Sequence, residues 1–155
     1  MAKAACGFDT TPGSNGHDLL VSFGPTLLVS IGFDPNFKTD GSAKIPVPKA
    51  GIEQVRALVD TGATECCIDS MLAAQLSLPV IDKRKIAGVH GAQEVSIHLA
   101  QIYVPSLHHT IYGAFAGVHL VAGGQWHQAL IGRSFLRSFT MVYEGKTGTV
   151  ILSSD

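Results

Sequence analysis

The sequence has no uninterrupted apolar stretch near the ~20 residues that a bilayer-spanning helix requires, so no membrane helix is expected. Charge is scarce as well. Charged residues make up 15% of the chain, and 11 Lys and Arg against 12 Asp and Glu leave a formal charge of −1. Such a chain offers no basic field to hold nucleic acid or an anionic membrane, and neither is an expected partner. Cysteine is sparse: Cys6, Cys66 and Cys67 form an odd set, and a bridge between the two sequence neighbours would be strained. Free thiols in a reducing, cytoplasmic compartment are the expectation. The first residues lack the apolar segment and small-residue cleavage site of a secretory signal, so export is not expected. Heptads, internal repeats and low-complexity tracts are missing too, which excludes coiled coils and solenoids. The seven histidines, among them His90, His98, His108, His109, His119 and His127, include no HExxH or Cys/His ligand spacing, so neither a metal nor another cofactor is expected.

What is present is a hydrophobic fraction of 46% over 155 residues, enough for one core and too little for two. Residues 1–18 mix Gly, Pro, Ser, Thr and Asn without periodicity and read as a flexible N-terminal lead, leaving residues 19–155 as a single domain. Within it, Leu27, Val29, Ile31 and Phe33 fall on one face at period two, the pattern of a half-buried strand. Residues 34–51, rich in Pro, Gly, Lys and Asp, read as a long surface excursion. A second apolar strand over 55–59 runs straight into Asp60-Thr61-Gly62-Ala63, where the glycine permits a tight turn. Asp69 is placed to cap a short helix carrying Leu72 and Leu76 on one face and stopped by Pro79. Gly88 and Gly91 then bracket a turn, and Val95, Ile97 and Leu99 alternate with polar residues, which predicts a β-hairpin. Short strands follow at 103–104, 114–121, 129–131, 140–143 and 149–152, the last two joined as a hairpin. The sum is a small, mostly β domain with one or two short helices.

Asp-Thr-Gly by itself is a common combination of turn residues. Here it ends an apolar strand in ALVDTGATECCID, and ALIGRSFL later repeats the logic of apolar strand, Gly132 and short helix. In that order the chain resembles the retropepsins, the single-domain aspartic proteases of retroviruses and their cellular and bacterial relatives. GPTLLVSIGFD resembles their first core strand, VRALVDTGAT the catalytic strand and turn, KIAGVHGAQEVSIHLAQI the flap hairpin, and ALIGRSFL the hydrophobic strand and helix beside the catalytic loop. The phrase HLAQI also resembles the cellular domains of the DNA-damage-inducible type.

The resemblance implies a small closed β-barrel of the acid-protease type with a flap hairpin, and hydrolysis of peptide bonds. It implies catalytic roles for Asp60, Thr61 and Gly62, and peptide contacts for Ala63, for Val89, His90 and Gly91 at the flap tip, and for Leu130. The chemistry requires two carboxylates sharing one proton. The chain has a single Asp-Thr-Gly, because Asp9 is followed by Thr10-Thr11 and Asp40 directly by Gly41. The second carboxylate is therefore expected from another copy across a two-fold axis, so the implied partners are a second copy of the chain and an extended peptide or protein substrate. The alternative is a catalytically silent homodimer of the same fold that binds peptide or assembles. A non-dimeric barrel would make both motifs coincidental. Viral relatives interleave terminal strands at the dimer interface, whereas this chain ends in a hairpin, so a differently built interface is expected. Arg133 is expected either to pair with Glu65 or to be solvated.

Overall fold

The computed structural model of the chain describes residues 2–36, 47–48, 51–88 and 91–155. Period-two alternation sets the strands. In β2 (Thr26–Gly32), Leu27, Val29 and Ile31 are buried while Leu28 is exposed. In β3 (Gly51–Val59), Val55, Ala57 and Val59 point into the core and Arg56 and Leu58 away from it. The remaining members are β4 (Cys67–Asp69), β5 (Val80–Gly88), β6 (Gly91–Val104), β7 (His109–Val118) and β8 (Ala129–Ile131).

These strands run in the order β2-β3-β8-β4-β7-β6-β5, and a further pairing of β2 with β6 closes the first six into a barrel. Closure removes the exposed edges an open sheet would carry. It also surrounds a core of Leu27, Ile31, Ile68, Ile102 and Ile131, each of which contributes about 1.5–3 kcal/mol on burial. Strand β5 stays outside the ring, paired with β6 from Val80↔His98 to Gly88↔Gly91. The described tip side of this hairpin is solvent-exposed through Glu94, and burial begins at Val95. It thus projects from the barrel as the expected hairpin does, with Gly91 at a positive φ of 94°. Val89 and His90 lie outside the described residues, as does most of the 34–51 excursion.

Asp69 caps helix α2 (Ser70–Gln75) as its sequence position suggests, accepting the Leu72 N–H at 3.3 Å. Its other oxygen accepts the N–H groups of Leu120 and Val121 at 3.1 and 3.0 Å, so one buried carboxylate also ties down the loop after β7.

The N-terminal segment departs from expectation. Residues Lys3–Ala5 form strand β1, which pairs antiparallel with β10 (Thr149–Ser153), itself paired with β9 (Thr140–Glu144) in a separate three-stranded sheet. Helix α1 (Gly16–Phe23) follows, capped by Asn15, whose side chain accepts the His17 N–H, and closed by Gly24 at φ 72°. The lead therefore contains a strand and the start of a helix, where the sequence suggested no regular element. The physical reason is local: a three-residue strand with only Ala4 buried and a helix with Leu20 as its one large buried residue carry too little periodicity to stand out. Yet Ala4 and Cys6 are both 1% exposed, and Cys6 and Phe8 donate to Val150 O and Gly148 O at 2.9 and 2.8 Å.

Deleting residues 2–8 should therefore lower the unfolding free energy by roughly 2–4 kcal/mol, at about 1 kcal/mol for each ladder hydrogen bond lost. Urea titration followed by circular dichroism measures it, and an unchanged midpoint would restore the flexible-lead reading.

Candidate active site

Strand β3 delivers Asp60 one residue beyond its end. The Asp60 N–H donates to Ile131 O at 2.9 Å, extending the parallel β3–β8 pairing past Val59. The chain then turns on its own side chain: Asp60 Oδ1 accepts the Gly62 N–H at 2.9 Å and Asp60 O accepts the Ala63 N–H at 3.2 Å, an Asx-type turn. A Cβ on Gly62 would sit 3.1 Å from Asp60 Oδ1, so glycine leaves the carboxylate its room.

A second turn locks onto the first. Helix α3 (Arg133–Leu136) begins after Gly132, and the N–H groups of Arg133 and Ser134 donate to Ala63 O and Thr64 O, both at 2.9 Å. A side chain on Gly132 would collide with the carbonyl oxygen of Glu65 and lie 2.9 Å from that of Ala63, so this close backbone approach needs glycine. Arg133 is exposed and is not paired with Glu65. Its Nη1 donates to Thr61 O at 2.8 Å and its Nη2 to Thr64 Oγ1 at 3.2 Å, because the interlock brings those oxygens closer than the Glu65 carboxylate.

Asp60, Thr61, Gly62, Ala63 and Leu130 thus come together, and two unforeseen residues join them. Leu58 pairs in register with Leu130, and Cys67 pairs with Leu130 from the other side. All three are half-buried on the face of the sheet that also carries Asp60. In-and-out alternation along Cys66, Cys67 and Ile68 was the signal that could have shown Cys67 facing outward rather than into the core. Burial pushes the Cys67 thiol up to about 11, with Cys66, Asp60 and Glu65 adding negative potential. Burial also raises Cys66. Both thiols stay protonated at neutral pH and are poor nucleophiles. Among the described residues no three His, Cys, Asp or Glu side chains gather as a set able to hold a metal ion, and no helix is long and apolar enough to cross a membrane.

A closed six-stranded barrel with an Asp-Thr-Gly turn interlocked with a Gly-Arg helix is the retropepsin-like aspartyl protease arrangement. The chain belongs to the family described as "gag-polyprotein putative aspartyl protease", whose profile matches residues 49–138. Among solved structures it is similar to the EIAV protease complexed with the inhibitor HBY-793, at 19% identity over 73% of this chain and 85% of that one, with a TM-score of 0.44. No curated protein matches the sequence.

Gly132→Ala should cost about 2–3 kcal/mol, the range for forcing atoms into a filled site, because backbone and not a flexible side chain stands in the way. Thermal unfolding tests this, and a variant as stable as the parent would show that the two turns can separate without penalty.

Proposed function

We propose that the protein is a homodimeric aspartic endopeptidase in which Asp60 of each of two copies activates one water molecule. The observation that carries this reading is a half-buried carboxylate that accepts the Gly62 N–H on a glycine turn, in a chain with one Asp-Thr-Gly. Support for the second copy comes from the surface beside it. Thr61 opens on a groove of about 330 Å³ lined chiefly by Leu136, Phe139, Met141 and Leu152. Strand β9 runs along its flank with Val142 and Tyr143 53% and 52% exposed. A second copy of the chain is the occupant that fits, since the groove is contiguous with the residue next to the lone aspartate and a two-fold there brings Asp60 towards its twin.

The chemistry then needs one proton shared by the two carboxylates. The ionised carboxylate takes a proton from water as the water oxygen bonds to the peptide carbon, and the neutral carboxyl gives its proton to the carbonyl oxygen. Collapse of the tetrahedral adduct breaks the carbon–nitrogen bond, with a proton delivered to the departing amine. Thr61 braces the turns across the axis, Ala63 and Leu130 line the cleft, and the hairpin residues Val89, His90 and Gly91 close over an extended substrate.

Digestion of a peptide library between acidic and neutral pH should yield cleavage by the parent protein and none by Asp60→Asn. Mixing equal amounts of the two and letting subunits exchange should leave about one quarter of the activity, since only parental pairs hold two carboxylates. Retention of one half would mean that single copies act alone, and peptide binding without cleavage by the parent would mark a silent module.

Met141→Glu places a charge in the groove and should raise the dimer dissociation constant by roughly tenfold or more, about 1.4 kcal/mol for each decade. Sedimentation velocity measures this, and an unchanged dimer constant in a variant with a parental circular dichroism spectrum would move the interface elsewhere.

A further inference from the structure

The face of the barrel that presents Asp60 continues along β3 to a second cluster. Two residues back from Asp60 is Leu58, paired with Leu130, and two further back is Arg56. The Arg56 guanidinium lies over Trp126, with Cζ 4.3 Å from the ring centroid, while its Nε donates to Trp126 O at 3.1 Å. Phe23, the last residue of α1, packs against the other side of the cluster with its ring centroid 4.7 Å from that of Trp126. Both aromatics stay open to solvent, Phe23 at 36% and Trp126 at 39%.

The cluster is anchored to the barrel by hydrogen bonds next to it in the chain. His127, 3% exposed, has Nε2 2.8 Å from Thr26 Oγ1, and the Gln128 N–H donates to Arg56 O at 2.9 Å. Burial, aided by Arg56, holds His127 below its ordinary value of 6.5, so the anchor is neutral at pH 7. The segment carrying Trp126 is thus tied down, and part of the indole stays open to solvent. Among the described residues no carboxylate lies within 4.0 Å of Arg56, although its Nη groups have no hydrogen-bond partner there.

We propose that Arg56, Trp126 and Phe23 form a recognition platform for the flank of an extended peptide, reading an acidic side chain about four residues from the bond at Asp60. The distance follows from strand spacing: four residues from Arg56 to Asp60 span about 13 Å, and an extended peptide covers that length in as many residues. The flat guanidinium presents its Nη edge to a carboxylate in bidentate fashion, while the solvent-exposed parts of the indole and phenyl rings take the apolar stem and backbone. In a two-fold dimer the platform occurs once on each side of the cleaved bond, so acidic residues are read on both flanks. This inference deepens the peptidase reading and rests on it for the direction of the bound peptide.

Trp126 is the sole tryptophan of the chain, so its emission reports on the platform directly. Asp60→Asn is titrated with peptides that carry an apolar centre and Glu at the third, fourth or fifth residue on each flank, and with Gln twins of each. The best Glu peptide should shift Trp126 emission and bind about fivefold more tightly than its twin, as expected for a partly exposed ion pair. The difference should shrink in 1 M salt, where the screening length falls to about 3 Å. Adding Arg56→Glu should reverse the preference towards a Lys peptide, and Arg56→Lys should keep the sign with a smaller ratio. Equal affinity of every Glu and Gln pair, or peptide binding that leaves Trp126 emission unmoved, would overturn the platform. If the parent still cleaves those peptides, the peptidase reading survives that failure. Glu-selective binding without any cleavage would instead uphold the platform and sink the peptidase.

Discussion

Two backbone turns pressed together without intervening side chains determine the rest of the site. The 60–65 segment and the start of α3 share amide–carbonyl bonds at Ala63 and Thr64, and the Arg133 guanidinium closes the same junction from outside through Thr61 O. Contact at that distance is possible because Gly132 has no Cβ. The position of the Asp60 carboxylate therefore depends on peptide groups, whose geometry is stiff, more than on rotameric side chains, whose geometry is not. On the proposed reading, a carboxylate that has to meet its symmetry mate gains from such a mounting.

The barrel transmits that rigidity outward through a small number of buried polar groups. Asp69 joins a helix start to the loop after β7, Gln101 accepts the Asp34 N–H at 3.0 Å where β2 ends, and His127 meets Thr26. Among the described residues no buried side-chain nitrogen or oxygen is left without a partner. Each group substitutes for a length of regular ladder at a place where the chain must bend, and a satisfied polar contact fixes such a bend more specifically than apolar packing does. The loops bordering the cleft are thus held from the core side.

Much of this was legible in the sequence, for reasons that differ by element. Strands β2 and β3 declare themselves because one of their faces is buried, which forces alternation at Leu27, Val29 and Ile31 and again at Val55, Ala57 and Val59. Asp69 could be assigned as a cap because a side-chain acceptor before a helix has one common use. The first strand and α1 escaped notice because they gain stability from distant partners, Val150 and Gly148 among them, and distant partners leave no local period. Arg133 escaped for a related reason. An arginine on a short helix suggests a carboxylate, whereas the acceptors that meet it are a carbonyl and a hydroxyl brought near only by folding.

The surroundings of Asp60 also decide which side chain can do chemistry. Cys67 sits close enough to contribute to the same electrostatic neighbourhood, and in another setting a thiol beside an acid could compete for the role of nucleophile. Here burial, with the acidic neighbours Asp60 and Glu65, acts in one direction and keeps the sulfur protonated, so it serves as a small apolar wall. With Leu58 and Leu130 it leaves the carboxylate bordered by surfaces that offer water few hydrogen bonds. The Gly62 amide holds one oxygen of that carboxylate, and on the proposed reading a second carboxylate brought alongside would share a proton with it. On the proposed reading, an apolar border around one aspartate and a two-fold about it serve the same end, because like charges brought together away from water favour a shared proton.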